Sequence, residues 1–418
     1  MAEDAMAALK PKDMRIAIVA PSAPPHSAGG VASAHYNLWR ALRQRGFDAR
    51  LFTFYDNDVK AKHVKGIVRH GTSRVWFKRL FVLLLLPWRL FQPRKLAYQT
   101  AEILRNAPGA LRMARSIYAF SPDTVLLSDH GAPGLWLHKA KNQRFVLISH
   151  HNPARLAAES GMGDFSRLDT RFAIWLENRV LQKVDYVLCP SKYMKSWFKR
   201  TYTFMGPISV APNIIDLLGV DRIKPGNVAK QLGLSRQAKI VYLPSAGSYI
   251  KGARYLIEII DKLKATAKFS LGFYIPGFVE PDVLEGLNQH EARAHILLPG
   301  QVSYNKHIQY VKACDIAVSP ALMENFSMAI VEAASLGLPV VAFKRGGNAD
   351  IIDDGENGFL VGGLDVDAMA RRSAEILNSP ELSKQKRQTE KYTRTKFASE
   401  KVLDQYLRVL VPQWSQSG

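Results

Sequence analysis

An α/β protein of two doubly wound domains is predicted by three observations. Short runs rich in Val and Ile alternate with longer helix-period segments along nearly the whole chain, the pattern of parallel strands joined by crossover helices. A chain of 418 residues, at about 100–200 per domain, implies two domains. A hydrophobic fraction of 47% supplies two packed cores and excludes disorder as the dominant state.

The elements follow in order. Strand candidates in the first half are Arg15–Ala20, Ala49–Phe54, Thr124–Leu127, Phe145–Ser149 and Tyr186–Cys189. In the second half they are Ile240–Leu243, Ser270–Ile275, Ile296–Leu298, Ile316–Ser319, Val340–Phe343 and Gly358–Val361. The first helix shows the logic: Gly29-Gly30 precede it, Val31, Leu38, Ala41 and Leu42 recur at helical spacing, and Gly46 closes it. Met205-Gly206-Pro207, followed by Ala211-Pro212-Asn213, places the domain boundary near residue 206. The tail Phe397–Leu410 sets Val402, Tyr406, Val409 and Leu410 on one helical face after the last strand, with room to cross back to the first domain. The expected domains are therefore 1–205 with 397–418, and 206–396.

The net charge of +21 seeks an anionic partner. It is unevenly placed: residues 1–205 hold 32 basic and 14 acidic side chains, against 25 and 22 in 206–418. Cys189 and Cys314, each beside an apolar run, read as small buried residues in a reducing cytoplasm. The apolar run Ile16–Ala20 stops at Pro21, too short for a signal peptide, and Leu80–Trp88 is far below the ~20 residues that span a bilayer.

The strongest chemical signal is Glu324-Asn-Phe-Ser-Met-Ala-Ile-Val-Glu332, then AASLGLPVVAF and GGNADIIDDGENGFLV. Strand Ile316–Ser319 ends in a loop carrying Glu324 and Asn325, and a helix begins near Ser327 and ends at Gly337. Its N-terminus points free N–H groups at the carboxyl edge of the sheet, where anionic ligands bind in such folds. Glu332, over a turn into the helix and solvent-facing, can accept both hydroxyls of a ribose; Glu324 can hold another polyol. A plain loop glutamate and an exposed helix position are the alternatives.

Together these stretches resemble the retaining glycosyltransferases of family 4. Two carboxylates flank Phe326 at the family's E-x7-E spacing, and EAASLGLPVV and the GG-x-x-x-I-I-x-x-G-x-N-G-F-L-V run follow. The opening RIAIVAPSAPPHSAGGVASAHYNLWRALRQRGFDARLFT, then VLCPS, VAPNIID and Lys251-Gly252, fall in the family's order over nearly the whole chain. The resemblance implies the GT-B fold: two Rossmann-like domains facing across a cleft, with a C-terminal helix returning to the first domain. It implies an acceptor-side first domain and a second domain that binds the nucleotide-sugar donor.

The resemblance also assigns roles. Glu324 contacts the donor sugar, Glu332 the ribose, and the backbone N–H groups of Phe326, Ser327 and Met328, beside Asn325, face the diphosphate. Lys251 matches one cation of the family's basic pair, but the preceding Pro-Ser-Ala-Gly-Ser-Tyr-Ile lacks the usual arginine. Either Lys251 acts with helix dipoles alone or Arg254 supplies the second cation. Gly29, Gly30 and Val31 form the family's donor-side loop in the first domain, where glycines admit close approach of backbone to a phosphate or sugar. His150, at a strand end beside His151, resembles the histidine near the reacting centre.

Asp56-Asn-Asp58 looks like the metal-binding motif of the other glycosyltransferase fold, but the paired glutamates favour a polar loop. No metal or other cofactor is expected: the histidines lack ligand spacing, and the glycine loops lack the P-loop and nicotinamide patterns. Residues 74–95 hold six basic residues, no acid, and Trp76, Phe77, Phe81, Trp88 and Phe91 around a leucine run. Such a segment lies in a membrane interface with its cations, among them Arg74, Lys78, Arg79 and Arg89, on anionic headgroups. A buried helix flanked by solvated arginines is the alternative.

The expected protein is thus a hexosyltransferase of polysaccharide biosynthesis, peripherally bound to the cytoplasmic membrane face. It takes a nucleoside-diphosphate sugar and a glycan or lipid-linked acceptor, and no nucleic acid, because the aromatics cluster in a leucine-rich stretch. An epimerase or hydrolase of the same fold, or a catalytically silent membrane- or nucleic-acid-binding protein, is the alternative.

Overall fold

The computed structural model describes residues 11–24, 29–56, 64–72, 74–92, 94–159, 163–217 and 219–411. They fall into two units, the first drawn from Met1–Ala158, Gly163–Ile214 and Ser399–Gly418, the second from Glu159–Met162 and Ile215–Ala398.

The first unit is a parallel sheet of β1 (Arg15–Ala20), β2 (Asp48–Thr53), β3 (Ile67–Val68), β4 (Thr124–Ser128), β5 (Arg144–Ile148), β6 (Tyr186–Cys189) and β7 (Ile208–Val210). Its order is β3-β2-β1-β4-β5-β6-β7. The central strands are buried on both faces, as continuous Val, Ile and Leu runs require of a sheet covered by helices. The chain winds outward from β1 to β3 and then restarts at β4 on the other side of β1, which opens a crevice at the carboxyl ends of these two strands. Helices α1 (Gly30–Gln44), α2 (Arg74–Phe91) and α3 (Gln99–Arg105) follow in the first half of this unit.

The second unit is a parallel sheet of β8 (Lys239–Tyr242), β9 (Leu271–Tyr274), β10 (Ile296–Leu297), β11 (Ile316–Ser319), β12 (Val340–Phe343) and β13 (Gly358–Val361), in the order β10-β9-β8-β11-β12-β13. The reversal falls between β8 and β11, where Ile316 pairs with Val241. Each sheet carries one apolar cluster on either face. Two Rossmann-like domains are therefore present.

The expected boundary near 206 moves to Ile214–Ile215, because β7 pairs Val187 with Ile208 and so extends the first sheet. β3 and β7 escape sequence patterning because each is a short edge strand only partly buried. At the other end, helix Ser399–Leu410 packs Val402, Leu403, Tyr406 and Leu407 against Ile16, Ile18 and Leu38. Thr124 Oγ1 donates to the Leu410 carbonyl at 2.8 Å. The return starts later than Phe397, whose ring lies 5.6 Å from Phe326 in the second unit.

Candidate functional site

In the second unit the two loops that leave β8 and β11 are stitched together. Leu322 N and Met323 N both donate to the Ile250 carbonyl, at 3.1 and 3.3 Å. Gly252 closes the first loop at φ 92°, and a Cβ there would lie 2.1 Å from the Pro320 carbonyl oxygen, so only glycine allows the approach. Gly346 does the same after β12: at φ 54°, its Cβ would lie 2.0 Å from the Glu324 carbonyl oxygen, which also accepts from Gly347 N at 3.0 Å. The consequence is a Lys251 Nζ–Glu324 Oε1 contact of 2.7 Å, with Glu324 only 9% exposed. Ser245, on the same β8 exit, holds a left-handed φ of 53°, a strained backbone for a non-glycine residue.

Helix Met328–Ser335 begins beside this pair. Its N-cap Ser327 makes no side-chain cap bond and no acidic residue lies in its first turn, so its leading N–H groups and positive dipole end are available to an anion. The Phe326 side chain is buried against Phe397, which leaves backbone as its contribution to a ligand. Asn325 and Met328 are half-buried. Arg254 is exposed, its guanidinium 4.8 Å over the Tyr255 ring.

Glu332 is not solvent-facing as expected but half-buried. Burial, and then the Asp216 carboxylate, push its carboxyl up to about 7. Asp216 carried no signal in the sequence; it follows the crossing into the second unit and meets the helix only through the fold.

In the first unit, α1 starts at Gly29, its N-cap, whose φ of −173° is extended backbone open to any residue. Among the described residues a Cβ at Gly29 or Gly30 would meet nothing within 4 Å, so the described packing beside the half-buried Val31 does not demand glycine there. His150, just past β5, is 3% exposed and donates from Nε2 to Asn213 Oδ1 at 2.8 Å. Burial, and then His35 with its ring centroid 5.3 Å away, push His150 down to about 3, so it is neutral at pH 7.

A polar cluster that sequence reasoning missed lies at the same sheet edge. Asp129 and His130 follow β4, His151 follows β5, and Glu102 reaches in from α3. His130 Nε2 is 3.5 Å and Arg105 Nη2 3.1 Å from Glu102 Oε1. Burial opposes ionisation of Glu102, but His130 and Arg105 outweigh it and hold the carboxyl down to about 2. Burial pushes Asp129 up to about 6 even though its Oδ2 accepts from His151 N at 2.8 Å. Glu102, His130 and His151, with Tyr98 and Gln99, line a cavity of only about 10 Å³, the space of a single water. Ser-Asp-His and Ser-His-His at two strand ends were the available signal; Glu102, on a distant helix, had none.

Asp56 is buried, ion-paired to Arg69 at 2.8 Å and bonded to Thr53 Oγ1, while Asn57 and Asp58 lie outside the described residues. Both cysteines are buried and free. Among the described residues no group of three His, Cys, Asp or Glu is placed to hold a metal ion.

The basic aromatic segment is helix α2, and no described helix is long and apolar enough to cross a membrane. At 3.6 residues per turn, Val75, Trp76, Arg79, Val82, Leu83, Leu86 and Leu90 share one arc, and all are exposed, Trp76 by 73%. Phe81 faces the other way, 4.8 Å beneath the Arg105 guanidinium of α3, and Trp88 is half-buried. Arg89 is exposed, and the side chains of Arg74, Phe77 and Lys78 lie outside the description.

Comparison with known proteins adds to this geometry. Residues 28–217 match the model of Glycosyltransferase Family 4, and residues 227–396 that of Glycosyl transferases group 1. The chain is 27% identical over 307 residues to D-inositol 3-phosphate glycosyltransferase 2 of Catenulispora acidiphila, across 69% of this chain and 68% of that one. Sucrose-phosphate synthase from Thermosynechococcus elongatus superimposes with a TM-score of 0.72 at 18% identity, covering 97% of this chain and 100% of its own. HepE of Anabaena, solved in complex with UDP and glucose, gives 0.70 at 20% identity over 96% of this chain and 100% of its own.

Proposed function

The chain is a glycosyltransferase of the GT-B fold, and from that premise we propose a retaining hexosyltransferase of family 4 that uses a nucleoside-diphosphate sugar. The acceptor is a glycan or lipid-linked glycan at the cytoplasmic membrane face. The observation that carries the reading is the Lys251–Glu324 pair at the β8/β11 reversal, beside an uncapped helix N-terminus.

Lys251 and the N–H groups of Phe326 to Met328 stabilise the diphosphate as its bond to the anomeric carbon breaks. Glu324 holds the donor sugar and Glu332 the ribose. The acceptor hydroxyl attacks from the face the phosphate leaves; its oxygen bonds the anomeric carbon and its proton passes to the departing phosphate. Protein cations and dipoles supply the counter-charge, so the reading includes no metal. His150, neutral and fixed by Asn213, offers the sugar hydrogen-bonding groups without a competing charge.

A thermal-shift panel of UDP-, GDP- and ADP-sugars tests this. One base is expected to stabilise, since ligand at 100 times its dissociation constant adds ~2.7 kcal/mol. A ribose hydroxyl donates to ionised Glu332, so affinity is expected to rise with pH through about 7, and Glu332→Gln to flatten that rise. Stability runs the opposite way: the raised carboxyl favours the neutral form in the folded state, a contribution present at low pH and lost as pH rises through about 7. Absence of any shift, with no transfer to membrane extract, overturns the reading. Release of free sugar without acceptor assigns a hydrolase instead.

Support for the membrane is the solvent-facing apolar arc of α2, with Arg79 in it and Arg89 at its border. Cations near an anionic surface contribute about 1 kcal/mol each, enough for reversible binding when apolar side chains also insert. Sedimentation with anionic but not neutral liposomes is expected, weakening with salt. Replacing Arg74, Lys78, Arg79 and Arg89 with Gln is expected to reduce it while transfer to a soluble acceptor survives. Equal sedimentation of wild type and variant removes the membrane from the proposal.

A further inference from the structure

The turn that leaves β5 holds two buried donor groups that the mechanism above does not use. Arg155, on helix Pro153–Glu159, is 3% exposed, yet its Nε and Nη1 have no hydrogen-bond partner among the described residues. Its guanidinium lies over the Tyr193 ring, 5.9 Å from the centroid. Asn152, one turn earlier and fully buried, is oriented by what it accepts. Its Oδ1 takes Arg155 N at 2.9 Å and Thr201 Oγ1 at 3.2 Å, which fixes the amide and leaves Nδ2 enclosed without a partner among the described residues.

A guanidinium cannot shed its charge by deprotonation, and an enclosed cation with unmade hydrogen bonds is costly to the fold. Such a group is retained where an anion completes it. Each unmade guanidinium N–H can donate to an oxygen of a phosphate or carboxylate, and the Asn152 amide, three residues earlier, offers a further buried donor on the same turn. The neighbouring His151 is neutral, pushed down to about 3 by burial and by His130, and so adds a polar wall without a competing counter-ion.

We propose that Arg155 and Asn152 form an anion subsite in the first unit that takes a phosphate or carboxylate carried by the acceptor. The acceptor assignment rests on the glycosyltransferase reading; the anion site itself does not.

Inorganic phosphate is the probe, titrated against thermal stability in wild type, Arg155→Gln, Asn152→Asp and Lys251→Ala. Phosphate is expected to stabilise wild type and Lys251→Ala alike, and Arg155→Gln to weaken its apparent affinity at least tenfold. Without phosphate, Arg155→Gln is expected to melt no lower than wild type, because an unpaired buried cation has gone. Asn152→Asp keeps both accepted hydrogen bonds but replaces the amide donor with a carboxylate oxygen that repels an anion; it is expected to lose the phosphate response. An unchanged response in both variants overturns the site.

UDP, GDP and ADP binding separates the owners of the anion. Nucleotide affinity within twofold of wild type in Arg155→Gln supports the acceptor, and a loss equal to that for phosphate assigns the site to the donor and overturns the proposal. If no nucleotide binds the wild type, the glycosyltransferase mechanism fails while the phosphate comparison still decides the anion site. A soluble hexose phosphate and vesicles bearing a lipid phosphate monoester, used as competitors, distinguish the source; competition by either supports an anionic acceptor and competition by neither overturns it.

Discussion

Lys251→Ala is expected to lower turnover by about 10²–10³ while leaving the Michaelis constant for donor comparatively unchanged, because its cation counts most when the diphosphate gathers charge. The measurement is steady-state transfer with the donor that the panel identifies. The substitution also strips Glu324 of its 2.7 Å partner in a nearly enclosed position, which confuses the result with a local structural cost. Lys251→Ala combined with Glu324→Gln separates the two: it restores stability without restoring turnover if the lysine acts on the leaving group. A loss below tenfold in the single variant moves the counter-charge to Arg254 or to the helix dipole.

Gly346→Ala is the second. The added methyl would sit 2.0 Å from the Glu324 carbonyl oxygen at a positive φ, so the loop must move and carry Glu324 with it. A stability loss of about 1–3 kcal/mol from overpacking is expected, together with loss of most activity. Gly355→Ala is the control: its φ of 85° is equally left-handed, but a Cβ there meets nothing within 4 Å. That variant should show only the backbone cost and keep activity. Equal effects of the two substitutions on transfer would mean that the Gly346 contact does not position Glu324.

Much of this was legible from the chain. The central strands announce themselves as Val- and Ile-rich runs because both faces of each sheet are covered, and the spacing of Glu324 and Glu332 survives in sequence because strand, loop and helix follow without interruption. The exposure of Glu332 was misjudged although a clue was present: Met-Ala-Ile-Val-Glu-Ala-Ala-Ser is apolar almost all round, and such a helix is buried. Asp216 and Glu102 were invisible for a different reason. Each meets its partner across more than one intervening element, and no local period encodes such a meeting. In α2 both faces are apolar, so sequence alone cannot say which is covered; the Arg105–Phe81 contact decides it.

The chain leaves the first unit at Ile214 and re-enters it at Ser399, and this orders its biosynthesis. The residues from Ile215 to Ala398 emerge from the ribosome as one nearly complete run and can close their core at once. The older segment, though translated first, waits with the apolar surface around Ile16, Ile18 and Leu38 uncovered until Val402, Tyr406 and Leu407 arrive. Domains usually fold in the order of their synthesis; here the amino-terminal one is finished last. Until then its uncovered sheet face is the part of the nascent chain most in need of a chaperone.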